Sequence, residues 1–236
     1  MTNYHFVSFG DSIKFKNSLQ RINQEALSFQ LFKNIFIYTE HNLPKDYFTK
    51  HNINSRGFGY WSWKPYCILD TLNNIQENDI ILYCDSGCHL NIKAKNRLIE
   101  YFQLVENNTL DNLSFQLYYP EHDYSKMDLL SLFPVDYHYS YQLHATSFII
   151  KKTQKMIQLI QEWKSLADNI HLINDTLSIL PNYPSFKDHR HDQSIFSLLR
   201  KKYGSIILPD ETWPYNDSSD WNKILDYPIH AKRIRY

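Results

Sequence analysis

Apolar positions along this chain fall in short blocks, and their spacing predicts an α/β fold. Residues 4–9 (Tyr-His-Phe-Val-Ser-Phe) read as a strand that Gly10-Asp11-Ser12 breaks, and 15–30 read as a helix. Ile35-Phe36-Ile37-Tyr38 follows as a second strand. A strand–helix–strand opening of this kind implies a parallel sheet. Pro65 opens a predicted helix over 65–76, where its missing N–H costs nothing. The run 79–84 is almost wholly apolar and reads as a strand buried on both faces. Residues 96–106 predict a helix, 113–119 and 143–150 strands, and 120–142 a polar, aromatic connection. In 153–167, Met156, Leu159, Ile160, Trp163 and Leu166 share one helical stripe. Segment 168–190 reads as irregular, 191–202 as a helix, 206–208 as a last strand, and 209–236 as loop-rich. The sum is a sandwich around a mixed central sheet.

Composition narrows the function. The 25 Lys+Arg balance the 25 Asp+Glu, whereas nucleic-acid binders usually carry a basic excess. Lys232, Arg233 and Arg235 form a basic cluster suited to a phosphate or an anionic membrane surface, or to a solvated end. Three cysteines give no disulfide framework, which suits a reducing cytoplasm, and Cys84 and Cys88 lack partners for a zinc site. The first residues do not read as a signal peptide, and no run approaches the ~18 apolar residues that span a bilayer. The expectation is a cytoplasmic protein, at most peripheral at the inner face of the membrane. The 18 Tyr, 14 Phe and 5 Trp would suit a cleft that stacks on sugars or bases, or would serve as core.

Three constellations carry candidate chemistry. Asp85-Ser86-Gly87 follows the buried strand, at the carboxyl edge where open α/β sheets bind ligands. Asp85 there holds a divalent cation or a ribose hydroxyl, or serves a turn, and Gly87 permits close approach of backbone and ligand. Arg56-Gly57-Phe58-Gly59-Tyr60-Trp61-Ser62-Trp63-Lys64-Pro65 places two glycines, two tryptophans and two cations before a helix. Arg56 and Lys64 can neutralise a diphosphate at that helix N-terminus, or the segment is an aromatic packing loop. His189-Arg190-His191-Asp192-Gln193 opens another helix. The helix dipole there favours an ionised Asp192, a candidate general base or an N-cap.

The runs Gly59-Tyr60-Trp61-Ser62-Trp63-Lys64-Pro65 and Leu82-Tyr83-Cys84-Asp85-Ser86-Gly87-Cys88, with Arg190-His191-Asp192-Gln193-Ser194, resemble the small glycosyltransferases of bacterial capsule and O-antigen loci. Some members of that group are galactosyl- or galactofuranosyltransferases. The resemblance covers about residues 4–232. It implies one domain over 1–236 with a GT-A-like, Rossmann-like mixed sheet. About 1–110 would bind the nucleotide sugar, and about 111–236 would bind the acceptor and carry the catalytic groups. Asp85 takes the place of the first acid of the family's Asp-x-Asp motif, near ribose and metal; the third position is Gly87, so one metal carboxylate is missing. His191 or His230 would fill that gap around Mn or Mg, and Pro228-Ile229-His230-Ala231-Lys232 is similar to the C-terminal His and Lys that touch metal and diphosphate in some GT-A enzymes. Asp11 falls where such enzymes grip the nucleobase, and Lys126 either meets the donor phosphates or lies on the surface.

The resulting expectation is transfer of a sugar from a UDP-sugar to a saccharide or lipid-linked saccharide, alone or beside a partner glycosyltransferase. Asp192 would be the base of an inverting reaction, or with Gln193 would position the sugar. Arg56, Lys64 and a divalent cation would stabilise the leaving diphosphate. A sugar nucleotidyltransferase and a non-catalytic carbohydrate-binding domain of the same fold are the rival readings.

Overall fold

A computed structural model describes residues 2–214 and 220–234. Strands β1 (Tyr4–Phe9), β2 (Phe32–Tyr38), β3 (Ile80–Cys84), β5 (Asn112–Pro120), β6 (Tyr141–Leu143), β7 (Ser147–Lys151) and β8 (Ile206–Pro209) form one sheet, ordered β2-β1-β3-β7-β5-β6 with β8 beside β5. β1, β2, β3, β5 and β8 run one way, and β6 and β7 run against them. The sheet is therefore mixed, as expected, and strands from both halves of the chain share it. A separate pair joins β4 (His89–Leu90) to β9 (Ile229–His230), a strand inside the segment expected to be loop-rich.

Five helices cover the sheet: α1 (Lys16–Ser28), α2 (Lys64–Asn73), α3 (Lys95–Glu106), α4 (Gln154–Asp168) and α5 (Asp192–Tyr203). Alternation along the strands sorts the core into two layers. Val7, Ile81, Tyr83, Phe148 and Ile150 face the layer built with α2, α4 and α5. Phe6, Ile80, Leu82, Cys84 and Ile149 face the layer built with α1 and α3. α4 begins where the Thr153 hydroxyl accepts from Met156 N at 3.3 Å. Its stripe meets α5 through Trp163 and Phe196, stacked at 3.8 Å with 5° between the planes.

The expected strand over 143–150 is two strands, β6 and β7. Between them the backbone turns its carbonyls to buried cations. Leu143 O and His144 O accept from the Arg200 guanidinium at 2.7 and 2.9 Å, and Ala145 O accepts from Lys64 Nζ at 3.0 Å. Burial pushes Arg200 down to about 9, with Glu121 and Asp192 opposing. The connection 120–142 also carries short helical turns, at Glu121–Tyr124, Met127–Leu130 and Val135–His138, and 168–190 carries one at Ile170–Ile173.

Candidate active site

The carboxyl ends of β1 and β3 open into a cleft of about 670 Å³. Lys64, Asp85 and Asp192 meet in its wall. Each is set by the start of a helix or the end of a strand: Lys64 is the first residue of α2, Asp192 the first of α5, and Asp85 follows β3. The Lys64 ammonium lies 3.1 Å from Asp85 Oδ1 and 2.8 Å from Asp192 Oδ2, and its side chain is only 3% exposed. Its approach to Asp192 Oδ2 falls outside hydrogen-bonding geometry, so that contact is Coulombic. Asp85 Oδ1 also accepts from the Tyr83 hydroxyl at 2.6 Å. Burial alone would lower the Lys64 pKa, but the two carboxylates more than offset it and hold the amine protonated. Burial raises the Asp192 carboxyl to about 6, against the pull of Lys64 and with the charge of Asp85 adding to the rise. The helix terminus favours ionised Asp192, as the sequence suggests, but desolvation outweighs it.

The segment before α2 is not a simple glycine loop. Gly57, Phe58, Gly59, Tyr60 and Trp61 all have positive φ, between 57° and 90°. They form one left-handed turn, closed by Trp61 N donating to Gly57 O at 3.1 Å. Left-handed backbone costs roughly 1–2 kcal/mol for each residue with a Cβ. Two donors clamp it from below: Trp63 Nε1 to Gly57 O at 3.0 Å, and the Tyr47 hydroxyl to Phe58 O at 2.8 Å. Trp63 is itself stacked on Phe9 at 3.9 Å. Trp61 and Trp63 thereby line the cleft, with the Arg56 guanidinium 5.7 Å from the Trp61 ring centre at the exposed rim. Tyr60 points elsewhere in the turn, its ring 5.0 Å from that of His191. His191 also has positive φ (53°), a further strained residue at the cleft, outside that turn.

Other expected site residues divide. Asp11 lines the cleft, but its Oδ1 accepts from the backbone of Ile13 and Lys14 at 2.9 and 2.8 Å, which fixes the turn after β1. Ser86 and Gln193 line the cleft as well; Gln193 Nε2 donates to Gln142 Oε1 at 2.7 Å, part of a buried network that includes Glu121. Gly87 also lines the cleft, and the chain crosses close beside it: a Cβ there would lie 3.1 Å from Arg233 Cα. The crossing segment brings Arg233 to the cleft, while Lys232 turns to the Trp221 ring at 5.2 Å. Arg235 lies outside the described residues. Lys126 does not reach the cleft: its ammonium donates to the carbonyls of His171 and Thr176. Arg233, read from the sequence within a basic cluster suited to a phosphate, lines the cleft, as do Lys14 and Arg190, which the sequence reading gave no role. Arg190 sits within the motif that opens α5, which was the available signal.

A divalent cation fits these residues poorly. His191 Nδ1 is 2.8 Å from Ile173 O and its Nε2 faces Asp175. His230 Nε2 lies 3.0 and 3.1 Å from the carbonyls of Ile224 and Tyr227. Neither joins Asp85, and among the described residues no three His, Cys, Asp or Glu side chains gather as a ligand set.

Comparison with known proteins concerns the fold. Family models and curated proteins give no match. The chain aligns over 97% of its length with 91% of the crystal structure of a glycosyltransferase involved in the glycosylation of the major capsid of PBCV-1, at 10% identity and a TM-score of 0.58. It is more distantly similar to the glycosyltransferase GlyE of Streptococcus pneumoniae TIGR4, with 14% identity, 92% of this chain, 47% of that one and a TM-score of 0.43. Mouse xyloside xylosyltransferase 1 aligns with 11% identity, 90% of this chain, 87% of that one and a TM-score of 0.45. The chain thus has a GT-A-like α/β fold, shared along nearly its whole length with the first of these structures. Among the described residues, no helix is long and apolar enough to cross a membrane.

Proposed function

We propose that this protein is a glycosyltransferase that moves a sugar from a nucleotide diphosphate sugar, UDP-linked, to a saccharide or lipid-linked saccharide hydroxyl. The observation that carries this reading is the cleft: three acids, Asp11, Asp85 and Asp192, and five basic side chains, Lys14, Arg56, Lys64, Arg190 and Arg233, meet aromatic walls at the carboxyl edge of a GT-A-like sheet. Aromatic faces suit sugar and base rings, and the basic rim suits a departing diphosphate. Galactose or galactofuranose as the sugar, and a role in bacterial surface polysaccharide synthesis at the inner face of the membrane, follow from the sequence resemblance.

In the proposed inverting reaction, the acceptor oxygen forms a bond to the anomeric carbon. The bond from that carbon to the diphosphate oxygen breaks, and its electron pair leaves with the diphosphate. Asp192 takes the acceptor's proton; its carboxyl, raised to about 6, is ionised at neutral pH yet basic enough to accept it. Gln193, braced by Gln142, positions the sugar hydroxyls. Asp192→Asn is expected to lower kcat by roughly 10²–10⁴-fold with donor affinity nearly unchanged, since a positioned base contributes about that much. Steady-state kinetics beside calorimetric donor binding test this; an equal loss in both would remove Asp192 from the role of base.

A further inference from the structure

The two acids at the centre of the cleft wall already have a cationic partner from within the chain. The Lys64 ammonium donates to the Ala145 carbonyl at 3.0 Å and is ion-paired with both Asp85 and Asp192, at 3.1 and 2.8 Å. A divalent cation in the same place would need several oxygen ligands at about 2.0–2.6 Å. Asp85 Oδ1 is shared between the lysine and Tyr83, Asp192 is 4% exposed, and Gly87 supplies no side chain where a further acid would stand. The backbone of Arg233 and Ile234 crosses at Gly87, with Ile234 N donating to Gly87 O at 3.3 Å.

From this geometry we infer that Lys64 is a resident counter-ion in the electrostatic place of a divalent metal, and that the protein binds its donor and transfers sugar without one. The inference rests on the glycosyltransferase reading. It also reassigns the leaving group. Lys64 is fixed between two acids and is not free to follow a departing diphosphate. One positive and two negative charges leave this cluster with a net charge of minus one. The phosphates must then be met by cations outside it, and Lys14, Arg56, Arg190 and Arg233 are the ones that line the cleft. Lys64 is accordingly a positioning residue that keeps Asp85 and Asp192 apart and oriented.

The test is calorimetric titration of the full chain with UDP, GDP and UDP-sugars, once in EDTA and once in excess Mn²⁺. The expected result is a nucleotide affinity that agrees between the two conditions within about threefold, or roughly 0.7 kcal/mol. Binding that disappears in EDTA and returns with Mn²⁺ would overturn the inference while leaving the transferase reading intact. Failure of folded protein to bind any of these nucleotides in either condition would remove both. Lys64→Met, close in shape but uncharged, supplies the second arm. With the acids unpaired, nucleotide affinity in EDTA should drop at least tenfold and recover at least in part with Mn²⁺. Unchanged affinity in EDTA for a folded Lys64→Met protein would overturn the counter-ion role. If that variant does not fold, the wild-type comparison still decides.

Discussion

Asp192 is a carboxyl that folding makes harder to ionise. Its folded pKa of about 6 lies above the ordinary 3.8, so the folded state holds this proton more tightly than the unfolded chain does. The stability this contributes is complete below about pH 4 and is lost as pH rises through about 6, a change on the order of 3 kcal/mol. Asp192→Asn should therefore flatten the stability profile between about pH 4 and 7, read from urea midpoints at each pH. A slope unchanged from wild type would show that other groups set it. Arg233 makes the complementary case for charge at the rim. Arg233→Ala should weaken UDP binding about tenfold, as expected for one charge-assisted contact, and reduce its sensitivity to salt. Titrations at two ionic strengths measure both effects.

The left-handed turn at Gly57–Trp61 is the element on which the cleft's aromatic wall depends. Gly57→Ala would force a Cβ to within 2.4 Å of the Trp61 ring at a φ of 62°. The expected loss is about 2 kcal/mol or more of stability, with a matching loss of nucleotide binding as Trp61 is displaced. Thermal unfolding and titration of the same variant would separate the two, and an alanine accepted without cost would mean that the turn is not held in this form. Much of the regular structure could be read from periodicity: the apolar run 79–84, the α4 stripe and Pro65 at the start of α2 each carry a local signal. The left-handed turn could be read only in part. Gly57 and Gly59 mark freedom of φ, but Phe58, Tyr60 and Trp61 carry no sign of it, because Tyr47 and Trp63 impose the conformation from outside. The break between β6 and β7 was hidden for a similar reason, since Lys64 and Arg200 capture its carbonyls from remote parts of the chain.

Across the whole molecule, the acids of the cleft were legible and their pairing was not. Asp85 and Asp192 stand at a strand end and a helix start that the sequence marks. That Lys64 joins them depends on how β3, α2 and α5 converge on the sheet. Likewise Gly87, read as letting backbone and ligand approach closely, lines the cleft, but the segment that packs beside it comes from nearly 150 residues further along the chain and carried no local signal. The crossing at Gly87 bears on when the cleft comes into being. During synthesis, residues 229–234 emerge after every other part of the cleft wall, and β9 can zip onto β4 only then. Until it does, a nascent chain can form its sheet and its buried acids but lacks the Arg233 side of the pocket. Under the proposed function, the grip of Arg233 on the donor is the part of the site acquired last, when β9 pairs with β4.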